Sequence, residues 1–331
     1  MLDTAVYQGC YYAIAPFQEG NPSVVSFRRI MDDGRLAPVS ERKSISAREF
    51  VEVLKSAKFR APTELELIRA LDQTVTSARF WQEPDFEDEL VAIPEVTEAL
   101  RPIAELIAES EYTSSWANPV ERTEQWLPMR RVPVPAGGPQ VLNEYRAWIL
   151  DDESRSKQKF EEDPSYPSAG AWWSTPISWV PYTTRSVAGM GPLCLYLEED
   201  GRGGAADAGA YRISDAARVF EIVEPGDWVE LCRRYPLEVT NCRRNVWFET
   251  TGQLPSVWII PDWAKVAEDY DGVHLTIGGY LTTSGEALPV EAGSLTLMAG
   301  STPDATYCLS GLEAIATPLG PPTFWPEPRC P

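Results

Sequence analysis

Apolar residues recur at helical spacing through much of the first third of the chain. Phe50, Val53 and Leu54 follow Ser46-Ala47-Arg48-Glu49, where a serine three positions before a glutamate is the spacing of a capping box. Thr63-Glu64-Leu65-Glu66 repeats the device ahead of Leu67, Ile68 and Leu71. A third amphipathic stretch covers residues 96–107; Pro102 inside it predicts a kinked helix or one that begins at the proline. One short strand within residues 6–17 is expected to open this mainly helical region.

Residues 127–141, rich in proline and glycine, form a connector, and a helix of mixed charge follows over 143–160. Residues 161–170, with Pro164 and Pro167, form a second break. Beyond it the pattern turns to strands, at 193–197, 218–222, 257–260, 272–276, 295–299 and 306–309, with Gly201-Arg202-Gly203-Gly204 as a turn. The predicted fold is α+β: a helical N-terminal region plus a mixed or antiparallel sheet domain with short amphipathic helices. Its predicted divisions are 1–126, 127–170 and 171–331.

Two helix starts echo each other. Pro225-Gly226-Asp227-Trp228 leads to Leu231, Cys232 and Tyr235, and Pro261-Asp262-Trp263 leads to Val266, Ala267 and Tyr270. Both sets share the i, i+3, i+4, i+7 spacing of one helical face, and each aspartate is placed to cap its helix. The spacing predicts a Trp and a Tyr packed on a sheet; an aromatic cage is the functional alternative. A looser echo joins Phe80-Trp81-Gln82-Glu83-Pro84, Ser115-Trp116-Ala117-Asn118-Pro119 and Trp172-Trp173-Ser174-Thr175-Pro176. These runs either line one cleft, with Gln82, Gln125, Ser174, Thr175 and Arg185 as its polar groups, or pin separate loops.

Composition narrows the chemistry. With 49 acidic against 29 basic residues the net charge is −20, which disfavours nonspecific contact with nucleic acid or an anionic membrane. Arg233-Arg234 and Arg243-Arg244 are the best local basic candidates, and balancing of nearby carboxylates is their plainer role. The only histidine is His274, so histidine relays and two-histidine metal sites are excluded and no metal is expected. Six cysteines without a Cys-x-x-Cys pair, and an acidic start without an apolar core, predict reduced thiols in a cytoplasmic protein. No stretch reaches the ~20 apolar residues that span a bilayer. No phosphate loop exists, and Gly189-Met190-Gly191 is not a full dinucleotide fingerprint.

Four residues still form a set with chemical potential. Arg146 is suited to gripping an anionic group such as a pyrophosphate, and Ser174 with Thr175, after paired tryptophans, to positioning a ring that bears an amide. His274 is either an acid, base or ribose ligand, or a buried strand residue.

The runs Phe-Trp-Gln-Glu-Pro-Asp, Trp-Trp-Ser-Thr-Pro, Tyr-Pro-Leu-Glu-Val-Thr, Asp-Gly-Val-His-Leu-Thr and Pro-Asp-Ala-Thr-Tyr resemble those of uncharacterised proteins from high-GC bacteria, a resemblance that carries no activity. Residues 140–290 distantly resemble ADP-ribosyltransferase-like folds through Trp172-Trp173-Ser174-Thr175-Pro176, Arg218-Val219-Phe220-Glu221-Ile222 and Tyr270-Asp271-Gly272-Val273. That resemblance implies NAD as substrate, with Arg146, Trp173, Ser174, Thr175 and Arg185 binding it and ADP-ribose passing to a small-molecule or protein acceptor. His274 or Glu286 would complete the catalytic site, although no late Gln-x-Glu or Glu-x-Glu is present. The alternatives are a non-catalytic binding or interaction protein with a Trp-rich site, and an unrelated small-molecule enzyme using carboxylates.

Overall fold

A computed structural model of the protein describes residues 5–7, 10–14, 24–30, 43–57, 59–130, 134–165, 171–188, 190–201 and 204–326. The chain divides into two compact units, one within residues 1–74 and 84–115 and the other over 75–83 and 116–327. Its helices and its mixed and antiparallel sheets make it an α+β protein, as the hydrophobic pattern predicts.

The first unit opens with an antiparallel meander of β1 (Ala5–Tyr7), β2 (Cys10–Ile14), β3 (Val24–Ile30) and β4 (Lys43–Ser46). Four strands thus replace the single opening strand that was expected. The β-branched run in β3, Val-Val-Ser-Phe-Arg-Arg-Ile, carries the overlooked signal. Four helices follow: α1 (Ala47–Ser56), α2 (Glu64–Ser77, its last three residues counted with the second unit), α3 (Phe86–Val91) and α4 (Pro94–Ala108). Both capping boxes form. Ser46 Oγ accepts from the Glu49 amide at 3.3 Å while Glu49 Oε2 accepts from the Ser46 amide at 2.8 Å. Thr63 and Glu66 repeat the exchange at 2.9 and 3.4 Å. Phe50 and Leu54 of α1 share a core with Leu90, Val96 and Ala99. Helix α4 begins at Pro94 and runs on through Pro102, which lies on its exposed side.

The second unit is built on three sheets. The central one runs β10 (Val219–Ile222), β13 (Gly272–Leu275), β16 (Thr306–Tyr307) and β6 (Tyr182–Thr183), with β10 and β13 parallel and the other pairs antiparallel. A second sheet orders β11 (Pro236–Glu238), β12 (Val257–Pro261), β15 (Ser294–Thr296) and β14 (Leu288–Glu291). In the third, β9 (Ala206–Ile213) carries β17 (Ala316–Pro318) and β18 (Thr323–Trp325) along one edge and β5 (Gln125–Pro128) along the other. A small hairpin joins β7 (Ser186–Val187) to β8 (Gly191–Pro192). The helices are α5 (Pro139–Glu162), α6 (Pro225–Arg234), α7 (Thr240–Thr251), α8 (Trp263–Asp269), α9 (Ile277–Thr283) and α10 (Leu312–Ile315).

Two strand expectations change. Residues 193–197 are not a strand; Leu193–Leu195 is a 3₁₀ turn. A short run buried on every side has no periodicity to separate strand from turn. Strand β9 was not expected, because Ala-Asp-Ala-Gly-Ala-Tyr-Arg-Ile has weak β-propensity and is held by pairing on both edges. Residues 131–133, 166–170 and 202–203 of the predicted connectors and turn lie outside the described residues, as does Gly189.

The paired Asp-Trp helices are core, not cage. Trp228 and Trp263 are buried with ring centroids 6.1 Å apart; Trp228 Nε1 donates to Thr296 Oγ1 at 3.0 Å and Trp263 Nε1 to the Ser174 carbonyl at 2.9 Å. Capping differs from expectation. Asp227 lies inside α6, and its carboxylate accepts from the amides of Val223 and Glu224 at 2.9 and 3.0 Å. Asp262 precedes α8 without a side-chain cap; its Oδ2 accepts from Arg146 at 2.7 Å while its Oδ1 has no hydrogen-bond partner among the described residues. The three Trp-Pro runs anchor separate places: Trp81 Nε1 donates to Asp200 at 3.0 Å, and the Trp116 carbonyl accepts from Gly278 at 2.9 Å.

Candidate functional site

Helix α5 brings aromatic side chains to one place. Gly138, at φ 90°, and Pro139 set its start, and it buries Leu142, Tyr145 and Ile149. Glu153 fixes α5 against α7 by accepting from the amides of Asn241 and Cys242, both at 2.9 Å, at the positive end of α7. Trp148 then lies parallel to Trp173, with centroids 6.1 Å apart and planes 6° apart. Trp179 sits 6.1 Å from Trp148 and 5.5 Å from Tyr145, and Trp172 meets Trp173 edge-on at 6.4 Å. Trp148, Trp172, Trp173 and Trp179 are all only partly buried, so this cluster reaches solvent.

The Trp172–Thr175 run is tied down residue by residue. Trp247 Nε1 donates to the Trp172 carbonyl at 2.9 Å, and Arg243 Nη2 points to the Trp173 carbonyl at 3.4 Å. Ser174 Oγ accepts from the Ala299 amide at 2.9 Å and donates to its carbonyl at 3.2 Å; Thr175 Oγ1 donates to the Gly300 carbonyl. Gly300 has φ +70°, and a Cβ there would lie far inside contact distance of Trp173 Cβ. Glu199 completes the grip, accepting from the Gly300 amide at 2.6 Å. Burial pushes the Glu199 carboxyl up to about 8 against the pull of that hydrogen bond.

The same loop ends at a second cluster. Strands β10 and β13 place Glu221 opposite His274, and His274 Nδ1 lies 2.5 Å from Glu221 Oε2. Asp304, at φ 63°, approaches His274 Nε2 to 3.9 Å and pairs with Arg185 Nε at 2.9 Å. His274 is 2% exposed. Burial pulls its imidazole down, but Asp304 and Glu221 outweigh that and push its pKa up to about 8. Solvent reaches this network only at its ends, Glu221 and Arg185.

Residues 299–304 therefore gather Trp173, Ser174, Thr175, Arg185 and His274 around one loop. Arg146 and Glu286 are not bonded into this cluster. Arg146, with 39% of its side chain exposed, donates to Asp262 at 2.7 Å, and Glu286 is exposed on the turn after α9. Among the described residues no hydrogen bond or ion pair joins either to Ser174, Thr175 or His274. The hydroxyls of Ser174 and Thr175 are spent on the loop backbone and buried, so their evident work is to position it.

Sequence reasoning overlooked Tyr145 and Trp148, although it set Trp179 beside the Trp172–Pro176 run, and it took Arg243 with Arg244 as a basic patch or as balance for nearby carboxylates. Arg243 is fully buried, four residues before Trp247 on the inward face of α7. That spacing is the signal that could have found it. Its neighbour Arg244 lies over the Phe160 ring at 4.9 Å. Arg233 and Arg234 pair with Glu230 and Asp269, at 2.9 and 3.5 Å. Among the described residues no group of three His, Cys, Asp or Glu side chains could hold a metal ion, and no helix is long and apolar enough to cross a membrane. Comparison with known proteins finds no matching family model, no matching curated protein and no matching solved structure.

Proposed function

We propose that the protein is a non-catalytic binding protein whose ligand or partner lies on the aromatic face of Trp148, Trp172, Trp173 and Trp179. The observation that carries this reading is the parallel Trp148–Trp173 pair, 6.1 Å apart and partly open to solvent, in a protein that buries Trp228, Trp247, Trp258 and Trp263 completely. Aromatic rings presented in this way take flat or amphipathic ligands. Covering ~50 Å² on each of three indoles contributes about 4 kcal/mol at ~25 cal/mol per Å², a millimolar affinity, so a polar anchor is needed for tighter binding.

NAD cleavage, with ADP-ribose passed to a protein or small molecule, is the second reading. Its support is the His274 imidazole, set between Glu221 and Asp304 at the end of the loop that Ser174 and Thr175 grip. Against it stands the commitment of both hydroxyls to backbone. We place the protein in the cytoplasm, which suits the buried unpaired thiols of Cys194, Cys232, Cys242 and Cys308, and assign it no nucleic-acid partner.

Nicotinamide release from NAD by wild type and Arg146→Ala protein separates the readings. The binding reading expects no release above the uncatalysed rate. It also expects tryptophan-fluorescence titrations with planar-ring compounds to lose their saturable phase in Trp148→Ala. Release that disappears in Arg146→Ala establishes the NAD-cleaving enzyme instead.

A further inference from the structure

Beneath the Trp148–Trp173 stack lies a positive charge that the protein does not fully satisfy. Arg243 is completely buried, and its Nε has no hydrogen-bond partner. Nη1 meets Cys242 Sγ at 3.3 Å and Asp152 Oδ2 at 3.7 Å, and Nη2 meets the Trp173 carbonyl at 3.4 Å. Charge-assisted hydrogen bonds to oxygen run at ~2.7–2.9 Å, so no oxygen is at full bonding distance from this guanidinium. Burying a cation on these terms is unfavourable unless something else answers it.

Two further buried groups lack partners in the same neighbourhood. The Tyr145 hydroxyl, on a residue 1% exposed, has no hydrogen bond, and neither has Trp173 Nε1. The Trp173 carbonyl lies 3.4 Å from Arg243 Nη2, and Tyr145 stacks on Trp148, which stacks on Trp173. Tyr145 is also close enough for the Arg243 charge to act on its hydroxyl. All three can donate: a guanidinium N–H, an indole N–H and a phenol O–H. Trp173 and Asp152, each partly exposed, mark the way to solvent.

We infer that Arg243, Tyr145 and Trp173 form the anchor of an anion-binding site, and that the ligand is a small organic anion whose carboxylate or phosphate is attached to a planar ring. The anion takes the unused donors and the ring lies on the indoles. This inference rests on the aromatic face being the binding site, and supplies the polar anchor that apolar area alone does not. Carboxylate and phosphate both offer several acceptor oxygens to a guanidinium fork, and the test separates them.

The test uses the full chain at constant ionic strength, with tryptophan fluorescence and melting temperature read for benzoate, phenyl phosphate, benzamide and acetate. Benzoate or phenyl phosphate is expected to saturate, with benzamide, which has the ring but no charge, and acetate, which has the charge but no ring, at least about tenfold weaker. Whichever anion saturates names the source. Tyr145→Phe removes only a hydroxyl without a partner, so it is expected to melt at or above wild type while weakening the anion about tenfold or more. Arg243→Met, similar in volume and uncharged, is expected to stay folded and lose the anion's advantage over benzamide. Equal binding of benzoate, phenyl phosphate and benzamide overturns the anion inference and leaves the aromatic-face reading standing. An anion that binds wild type and Tyr145→Phe equally, or no saturation by either anion, overturns it too, while the aromatic-face reading is judged separately by its Trp148→Ala titration.

Discussion

His274→Gln should flatten the dependence of stability on pH between about 6 and 9. In the folded protein the imidazole is buried between Glu221, at 2.5 Å, and Asp304, at 3.9 Å, and its pKa stands at about 8 against 6.5 for the free side chain. A folded-state pKa above the unfolded one stabilises the protein fully below the unfolded value, and that contribution is lost as pH rises through the folded value. The difference of about 1.5 units corresponds to about 2 kcal/mol, present at pH 6 and gone by pH 9. In a unit of this size that is a fall of about 4–8 °C in melting temperature. Glutamine keeps a hydrogen bond to Glu221 but cannot be charged, so the variant's fall between pH 6 and 9 should be smaller by that amount. Differential scanning calorimetry of both proteins at the two pH values reads the difference. Equal falls in both would refute the charged imidazole and the network built on it.

Three further outcomes follow from the same geometry. Glu199→Gln should gain stability relative to wild type as pH rises from about 4.5 through 8, because the buried wild-type carboxyl is held near 8 and resists the ionisation that the unfolded chain accepts; denaturation at pH 5 and 8.5 checks this. Gly300→Ala should destabilise by about 2–4 kcal/mol, from the positive φ and the clash with Trp173, read as a lower melting temperature and red-shifted tryptophan emission. Ser46→Ala should cost the first unit about 1 kcal/mol through loss of its capping box, measured by amide exchange in α1.

What could be read from the sequence is what is local. The capping boxes at Ser46 and Thr63, the long α5 and the Trp-Tyr spacing of α6 and α8 depend on residues within two turns of one another, and all are present. What could not be read depends on partners distant in the chain. His274 meets Glu221 only through the parallel register of β10 and β13, 53 positions apart, and strand β9 exists because three other strands pair with it. Ser174 and Thr175 were picked for hydroxyls next to indoles, a choice of residue type that cannot tell a ligand contact from a loop clasp 125 positions away. Arg243 shows the converse: helical spacing places it inside with Trp247, while its charge argues for the surface, and only the packing of α5 on α7 decides.

The aromatic face is tested most directly by following the indole N–H resonances of ¹⁵N-labelled protein while benzamide, benzoate and phenyl phosphate are added in turn. Twelve tryptophans give one resonance each, assignable by single Trp→Phe variants. Saturable shifts are expected for Trp148, Trp172, Trp173 and Trp179, the largest at Trp173, with Trp228 and Trp258 unmoved. Shifts centred on Trp81 or Trp116 instead, or none that saturate, would contradict the aromatic-face reading.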